Sequence, residues 1–475
     1  MSSAFALWVV MTSSLTRAQS VPPSPEKPWH SEKQAELAQD FSSYSKQRFS
    51  LDANHVYSLI ELVELAEAHN PETRSAWENA LEQADALGVA RSELFPTLAA
   101  AALSQTEREE PYSGTAFYRE TIQSFDLTLD LNYTIFDFGA RTGHIDAARA
   151  RLLAANFAFN DVHRRLIYRV AKAYFELLNA SGQEDAARSS LDNAEAVQRS
   201  AEALQSNGLA TLPDVLEAKS ATAQADYDLQ AALGAEDVAH GNLATALGAS
   251  PVSKIQVQPI LQLAIPDSIE ATVEDAIDRA VVQRPDLMLQ LASIRAANAE
   301  IKQARAAYFP TFGLDAQPDG QSLYAMEQTN PGRHTARLDG SLTFSLSWTI
   351  FDGGARMSNR ALAKASLQQA ESQADTTRDV IENGVWTAYS NLKTAFRQRR
   401  AAQALLEAAN QSYKAATESY HYGVRNLLDV TEAQRTLARA RSADVLARAQ
   451  VLTALADLAV EEGDSIQPPQ PRSQP

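Results

Sequence analysis

The chain contains two related halves. Residues 134–141 return as residues 349–356 with seven of eight positions identical, an offset of 215 residues. The same offset places Gly423 at the position of Gly208. Such a unit is longer than the roughly 20–50 residues of a solenoid repeat. The sequence therefore predicts a duplicated half-protein, and the contents of one half indicate what the whole chain can form.

Each half contains stretches in which apolar and polar side chains alternate. In residues 123–136 and 338–350 nearly every second side chain is apolar, which is typical of a β-strand. A shorter alternation follows each of two Phe-Pro-Thr sequences, at Pro96 and Pro310. The sequence therefore predicts one β-hairpin in each half. The two hairpins are expected over about residues 97–136 and 311–351.

The rest of each half is rich in Ala, Leu, Arg and Glu and is predicted to be helical. Long helices are expected over 139–206 and 354–421, because apolar residues such as Leu152, Ala155 and Phe159 follow a 3–4 spacing. At 1.5 Å per residue, each of these helices would be about 100 Å long.

Turns and irregular segments divide the chain. Each long helix is expected to end at a glycine-containing tip turn, over 207–213 and 422–427, after which the chain returns through another helix. One further helix is expected before each hairpin, over about 56–94 and 271–307. The expected organisation is a signal peptide at 1–18, an N-terminal Pro-rich and equatorial segment at 19–55, a first repeat at 56–250, an equatorial connector at 251–270, a second repeat at 271–462 and a disordered tail at 463–475.

Composition argues against several classes of function. The chain has no cysteine, which excludes disulfides, thiolate zinc sites and an acylated N-terminal cysteine. The formal net charge of −17 argues against nucleic acid as a partner. The eight histidines are scattered without metal-ligand spacing, and no catalytic constellation is evident. We therefore expect no enzyme, no metal and no cofactor.

The alternating strands fit either a soluble sheet with one wet face or a membrane-spanning barrel. In a barrel, Leu127 and Leu129 would face lipid, while Asp126 and Asp130 would face a water-filled lumen. Four strands cannot close a barrel, which needs about eight or more. An open sheet in lipid would leave backbone groups unpaired, at high cost. If the sheet lies in a membrane, the chain must therefore oligomerise.

The paired strand motifs and the paired turn motifs, in residues 207–218 and 420–433, resemble the TolC-type family of outer-membrane efflux channels. The resemblance extends from about residue 55 to residue 462. It implies a fold that is mainly α with a membrane β-barrel part: a trimeric 12-stranded barrel continuous with a periplasmic α-helical tube. It also implies a gated, passive channel of a tripartite efflux or type I secretion system in the outer membrane of a Gram-negative bacterium. The implied partners are two further copies of the chain, a periplasmic adaptor protein, an inner-membrane transporter and outer-membrane lipid.

The resemblance also implies roles for particular residues. Tyr420, Arg425 and Asp214 match a clamp that holds the tip closed, and Asp429 and Glu432 match an acidic ring around the pore. The alternative is that Asp214 and Asp429 are favourable acids at helix N-termini. The residues expected to contact the adaptor are Gly208, Leu209, Gly423 and Val424. Those expected at the junction of barrel and tube, for backbone reasons, are Pro96, Asp137, Gly139, Pro310, Asp352 and Gly354.

Two other functions have to be weighed against a channel. A soluble coiled-coil scaffold would not explain four alternating strands at the same places in both halves. A surface adhesin or autotransporter-like barrel would not need a duplicated helix–turn–helix. The sequence therefore favours the channel.

Overall fold

The computed structural model describes Gln39 and residues 51–463, apart from positions 53, 111, 114–115, 118, 264, 267, 269–271 and 328–329. The described residues from 51 onward belong to one compact unit, and Gln39 belongs to another. The expected signal peptide, and the expected tail after Gly463, lie outside the described residues.

The two halves contain the same long elements in the same order. In the first half these are β1 (Val56–Tyr57), α1 (Leu59–His69), α2 (Pro71–Ser92), β2 (Thr97–Glu109), β3 (Tyr112–Ser113), β4 (Ala116–Phe117), β5 (Glu120–Phe136), α3 (Ala140–Ser206) and α4 (Leu212–Ala246). In the second half they are β6 (Gln256–Val257), a 3-10 turn (Ile260–Gln262), α5 (Val273–Gln283), α6 (Pro285–Ala306), β7 (Thr311–Glu327), β8 (Asn330–Ser347), α7 (Ala355–His421) and α8 (Leu427–Glu462). Helices α3 and α7 both have 67 residues, which corresponds to about 100 Å.

The helix predicted before each hairpin is in fact two helices. The continuous helices predicted over 56–94 and 271–307 are interrupted at Asn70 and Arg284, whose backbones are extended. Each of these residues precedes a proline, which disfavours helical backbone at the residue before it and lacks an N–H donor. The sequence-based prediction was wrong there because it gave these prolines too little weight.

Both interruptions contact the C-terminal end of a return helix. Asn70 Nδ2 donates to the carbonyl oxygen of Ala246 at the end of α4, at 3.2 Å. Arg284, at the equivalent position of the repeat, donates through Nη1 to the carbonyl oxygen of Glu461 in α8, at 3.3 Å. These carbonyls have no partner within their own helices. The interruptions therefore anchor the return helices to the short ones.

The four long strands form one antiparallel sheet in the order β2-β5-β7-β8. The sequence predicted two hairpins, and the pairing of β5 with β7 joins them across the two halves. In this register Thr128 lies between Ala101 on β2 and Asp319 on β7. Strands β2 and β8 are the edges, and neither has an outer partner within the described part of the chain.

The sheet exposes its apolar face. On β5, Phe125, Leu127 and Leu129 are 52%, 49% and 40% exposed, whereas the polar side chains between them are partly buried. On the polar face, Thr128 Oγ1 donates to Asp319 Oδ1 at 3.0 Å. The predicted alternation is thus confirmed. A sheet that stands in water has the opposite arrangement, with its apolar face on a core.

An aspartate–arginine contact turns β5 into α3. Asp137 accepts hydrogen bonds from the backbone nitrogens of Gly139 and Arg141, at 3.1 and 2.9 Å, and from Arg141 Nε at 2.8 Å. Arg141 also donates to the carbonyl oxygen of Ile135, the next-to-last residue of the strand, at 3.3 Å. One carboxylate therefore caps the helix, and its arginine holds the end of the strand.

The second half repeats this corner. Asp352 accepts from the backbone nitrogens of Gly354 and Arg356 and from Arg356 Nε, at 3.1, 3.0 and 2.7 Å. Gly139 and Gly354 have φ values of 99° and 91°, a conformation that side chains disfavour. Pro96 and Pro310 directly precede β2 and β7, so all six predicted junction residues lie where strands meet helices.

The residue after each corner aspartate distinguishes the two halves. Gly353 has a φ of 64°, and Phe138, its counterpart, has a φ of 54°. For a residue with a side chain, this conformation costs about 1–2 kcal/mol. The Phe138 ring stacks on Phe309 at 4.9 Å and contacts Phe136 edge-on at 4.7 Å.

We expect the Asp137→Ala variant to unfold more easily than the wild type at pH 7, by about 1–3 kcal/mol, because three donors lose their acceptor. Burial opposes ionisation, but the hydrogen bonds from Arg141 and Gly139 outweigh it and lower the pKa of Asp137. Its stabilising effect is therefore present above about pH 4 and disappears as the pH falls through the lowered pKa. Thermal unfolding in detergent between pH 2 and 7 measures this.

Glu195→Ala provides the control, because Glu195 is an exposed carboxylate that pairs with Arg199 on the surface of α3. This variant should unfold within about 0.5 kcal/mol of the wild type. The role of Asp137 would be contradicted if both variants lost equal stability, or if the loss in Asp137→Ala did not shrink at all between pH 7 and pH 2.

Candidate functional site

The far ends of the long helices meet at two equivalent turns. After α3, the backbone nitrogens of Gly208 and Leu209 donate to the carbonyl oxygens of Gln205 and Leu204, at 2.9 and 2.8 Å. This is a Schellman motif, and the φ of 73° at Gly208 is the left-handed conformation that it requires. The turn after α7 has the same hydrogen bonds.

In that second turn, the backbone nitrogens of Gly423 and Val424 donate to the carbonyl oxygens of Tyr420 and Ser419, at 2.9 and 2.8 Å. Gly423 has a φ of 74°. The two turns are therefore built alike, and their sequence differences fall on side chains.

Apolar side chains project from both turns. Leu209, Val424 and Tyr422 are 75%, 78% and 81% exposed. In a Schellman motif the residue after the glycine usually packs back on its own helix. Here it does not, so the tip presents apolar surface that no other described residue covers.

A small core joins the four helix ends behind the turns. Tyr420 is partly buried against it. The buried residues of this core are Val197, Ala201, Val215, Ala218, Ala416, Leu427 and Val430. Since they come from α3, α4, α7 and α8, the core fixes the two turns side by side.

Asp214 is held by its own helix. The hydroxyl and the backbone nitrogen of Thr211 donate to Asp214 Oδ2 at 2.7 and 2.8 Å. Together with the bond from Asp214 N to Thr211 Oγ1, these contacts form a capping box at the start of α4. The Thr211 hydroxyl, and after it the Thr211 backbone N–H, lower the pKa of Asp214.

Asp429 has the equivalent position on α8 but a different environment. Its helix is capped by Asn426, whose Oδ1 accepts from Asp429 N at 3.0 Å, and no capping box forms. The Asp429 carboxylate is exposed and has no ion-pair partner in the described part of the chain. Glu432, one turn further, is also exposed, and Arg435 lies 3.9 Å away. The two predicted ring residues thus share one exposed face of α8.

The structure brings Tyr420 close to Asp214 without a hydrogen bond. Tyr420 Oη is buried, and no described residue bonds to it. Burial, and then the negative charge of Asp214, raise the pKa of Tyr420. Arg425 is exposed and has no ion-pair partner among the residues that the structure covers. One chain alone does not close the predicted clamp of Asp214, Tyr420 and Arg425, which stays a prediction.

Sequence reasoning missed the residues that bind the carboxylates at the turn and at the two corners. Thr211 fixes Asp214, and Arg141 and Arg356 fix the corner aspartates. A Thr-x-x-Asp pattern before a helix signals a capping box, so Thr211 could have been found. The arginines stand in the repeated Asp-x-Gly-Ala-Arg motif, which shows that they recur without showing what they bind.

Two other features are absent from the described residues, a metal-binding cluster and a membrane-spanning helix. No cluster of three or more His, Asp or Glu there is arranged to hold a metal ion. None of the helices described has a stretch that is long and apolar enough to span a bilayer.

Comparison with known proteins identifies the family. The model of the outer membrane efflux protein family matches residues 62–249 and 276–460. Protein CyaE of Bordetella pertussis is 29% identical over 85% of this chain and 83% of its own length. The pyoverdine export outer membrane protein OpmQ of Pseudomonas aeruginosa is 30% identical over 77% of each chain.

Solved structures show the same fold. A membrane protein from Pseudomonas aeruginosa has a TM-score of 0.74 and 24% identity over 88% of this chain and 99% of its own. The open-state MtrE channel of Neisseria gonorrhoeae has a TM-score of 0.71 and 20% identity, over 89% and 98%. The soluble-scaffold alternative finds no support in these comparisons. The chain belongs to the outer membrane efflux protein family and is an efflux channel of the Gram-negative outer membrane.

Proposed function

We propose that three copies of the chain assemble into one channel. Edge strand β2 of each copy pairs with edge strand β8 of the next, and the 12 strands close a barrel in the outer membrane. The helices of the three copies form a tube that extends into the periplasm. Cargo passes along this tunnel passively, and the tip turns gate it.

The sheet carries this proposal. Strands β2 and β8 are 13 and 18 residues long and lack outer partners in the described chain. Long unpaired edges are hazardous in water and prohibitive in lipid. The same sheet exposes its apolar face, as a lipid-facing wall would. Edge-to-edge closure of three copies satisfies both conditions at once.

The exposed tip fits docking to a periplasmic adaptor. Leu209 and Val424 lie on turns that backbone hydrogen bonds close, and their exposed side chains offer apolar contacts to a partner. The adaptor would link the channel to an inner-membrane transporter. One relative of this chain is described as a toluene efflux pump outer membrane protein and another as a pyoverdine export protein. We therefore infer that this chain too serves an export pump.

The closed state is proposed to depend on a clamp of Asp214, Tyr420 and Arg425. Tyr420 has a hydroxyl that is desolvated and without a partner in one chain, which is costly unless a partner arrives. Arg425 is an exposed cation that directly precedes Asn426, the N-cap residue of α8. Assembly of three tips would supply the missing partners. Such partly exposed polar contacts are worth about 0–1 kcal/mol each, so an adaptor can break them.

Asp429 and Glu432 are proposed to form the acidic ring. Their carboxylates lie on one exposed face of α8, and the Asp429 carboxylate is not used in capping. Threefold repetition would place six carboxylates around the pore. Rings of carboxylates favour the passage of cations.

The strand faces predict opposite outcomes for neighbouring substitutions. Leu129→Arg places a charge on the apolar face, at a cost of about 2–4 kcal/mol if that face meets the middle of the bilayer. Thr128→Arg places the same charge on the polar face and should be tolerated. The amount of trimer in the outer-membrane fraction, measured by native mass spectrometry, distinguishes them. Equal yields of the two variants, or a wild type recovered as a soluble monomer, would refute the proposed assembly.

The clamp predicts a leakier channel when its contacts are removed. Tyr420→Phe with Arg425→Ser should raise single-channel conductance in planar bilayers. Tyr420→Phe removes no hydrogen bond seen within the described chain, so a higher conductance would report a contact made in the assembly. Tyr413→Phe, on the same helix and beside the same core, is the matched control and should leave conductance unchanged. Wild-type conductance in the double variant would show that these residues do not gate.

The acidic ring predicts a change in ion selectivity instead. Asp429→Ala with Glu432→Ala should lower cation preference, seen as a shift of the reversal potential in a salt gradient. It should also weaken block by multivalent cations. Asp226→Ala with Asp228→Ala, on the middle of α4, removes the same charge away from the turns. If both double variants shifted the reversal potential equally, the effect would reflect overall charge and not a ring.

A further inference from the structure

A cationic cleft lies beside the corner between β5 and α3. Helices α6 and α7 form its walls, and its volume is about 610 Å³. Lys302 and Arg305 from α6, and Lys364 from α7, line it together with the rings of Phe138 and Phe309. The chain as a whole carries a net charge of −17, so three cations at one cleft are a local exception.

Two of these cations lack a counter-charge. No described carboxylate lies within ion-pair distance of Arg305 or Lys364. Lys302 Nζ contacts Asp146 at 3.0 Å. Glu371, the acid in the lining, lies seven residues beyond Lys364, or about 10 Å further from the sheet along α7. The end of the cleft nearest the sheet is therefore positive and suited to an anion.

The aromatic end of the cleft continues the apolar face of the sheet. Phe136 pairs with Phe312, and Leu314, two residues further on the same face, pairs with Tyr133 on the apolar face of β5. The Phe138 ring contacts Phe136, and it stacks on the ring of Phe309. The cleft thus has an apolar end that faces the same side as the leucines of β5 and a cationic end just below it.

The backbone at Phe138 is strained, and this strain is a further sign that the cleft has a function. Its counterpart in the other half is Gly353, which takes the same left-handed conformation without a side chain to oppose it. A glycine would therefore satisfy the corner, and the phenylalanine is not there for backbone reasons. Strain of this kind often marks a functional position. What the ring adds here is an apolar wall of the cleft.

We propose that this cleft binds one anionic phospholipid of the periplasmic leaflet. Its phosphate would lie against Arg305 and Lys364, and the start of an acyl chain would lie against Phe138 and Phe309. Aromatic rings at the edge of an apolar band, with Lys and Arg beside them, suit the headgroup region of a bilayer. This inference rests on the proposed membrane position of the sheet, and it adds a specific lipid-binding site beside that sheet.

The test is a lipid titration of the delipidated trimer in detergent. Phosphatidylglycerol should raise the melting temperature of the wild type in a saturable way, and phosphatidylcholine and inorganic phosphate should not. In Arg305→Gln with Lys364→Gln, the half-saturating concentration should rise about tenfold or more. Phe138→Gly should weaken binding too, because it removes the apolar wall of the cleft and leaves both cations in place.

Lys393→Gln is the control, since Lys393 is an exposed cation about 44 Å further along α7. It should titrate like the wild type. The site would be refuted by an unchanged titration in the Arg305→Gln, Lys364→Gln variant, by equal weakening in Lys393→Gln, or by an equal shift with inorganic phosphate. A wild type that reaches the outer membrane as a trimer but shows no preference for phosphatidylglycerol overturns only the lipid site. A wild type that never enters membranes overturns the proposed channel itself.

Discussion

The two unpaired edges of the sheet are the constraint on which the rest of this structure depends. Every backbone N–H and C=O along the outer sides of β2 and β8 needs a partner that the described chain does not supply. Because the apolar side chains of β5 are exposed as well, burial in a core does not solve the problem. Pairing with other copies and contact with an apolar medium would satisfy the sheet, and for this reason we propose a membrane assembly.

Duplication explains how the helices follow from the sheet. In each half, the second of the two long strands leads into a 67-residue helix through an equivalent carboxylate, which caps the helix and binds an arginine. The two corners therefore join strand and helix through the same hydrogen bonds. Two equivalent positions differ between the halves: Phe138 stands against Gly353 at the corners, and Thr211 stands against Asn426 at the helix N-caps. These positions are where one half can acquire a role that the other lacks.

The sequence predicted the parts of the fold that depend on local periodicity. The alternation around Leu127 predicted a strand with one apolar face, and the spacing after Gly139 predicted a long helix. It did not predict the breaks at Asn70 and Arg284, where a single proline outweighs helical composition. Periodicity also did not predict that Thr211 holds the carboxylate of Asp214 while the carboxylate of Asp429 stays exposed, although the Thr-x-x-Asp pattern before α4 could have indicated it. Which acid is used in capping is decided by one hydroxyl, and periodicity carries no information about it.

Charge pairing separates structural from functional positions along the helices. Along the helices, two buried carboxylates are paired with arginines: Asp161 with Arg164, and Asp444 with Arg448. Breaking such a pair leaves an uncompensated buried charge, so these residues are committed to the fold. At the two ends the balance is different. Cations without partners lie beside the sheet, and exposed carboxylates lie on α8 at the turns. We propose that the charges which the fold leaves unpaired, such as Arg305, Lys364 and Asp429, bind lipid at one end and ions or a partner protein at the other.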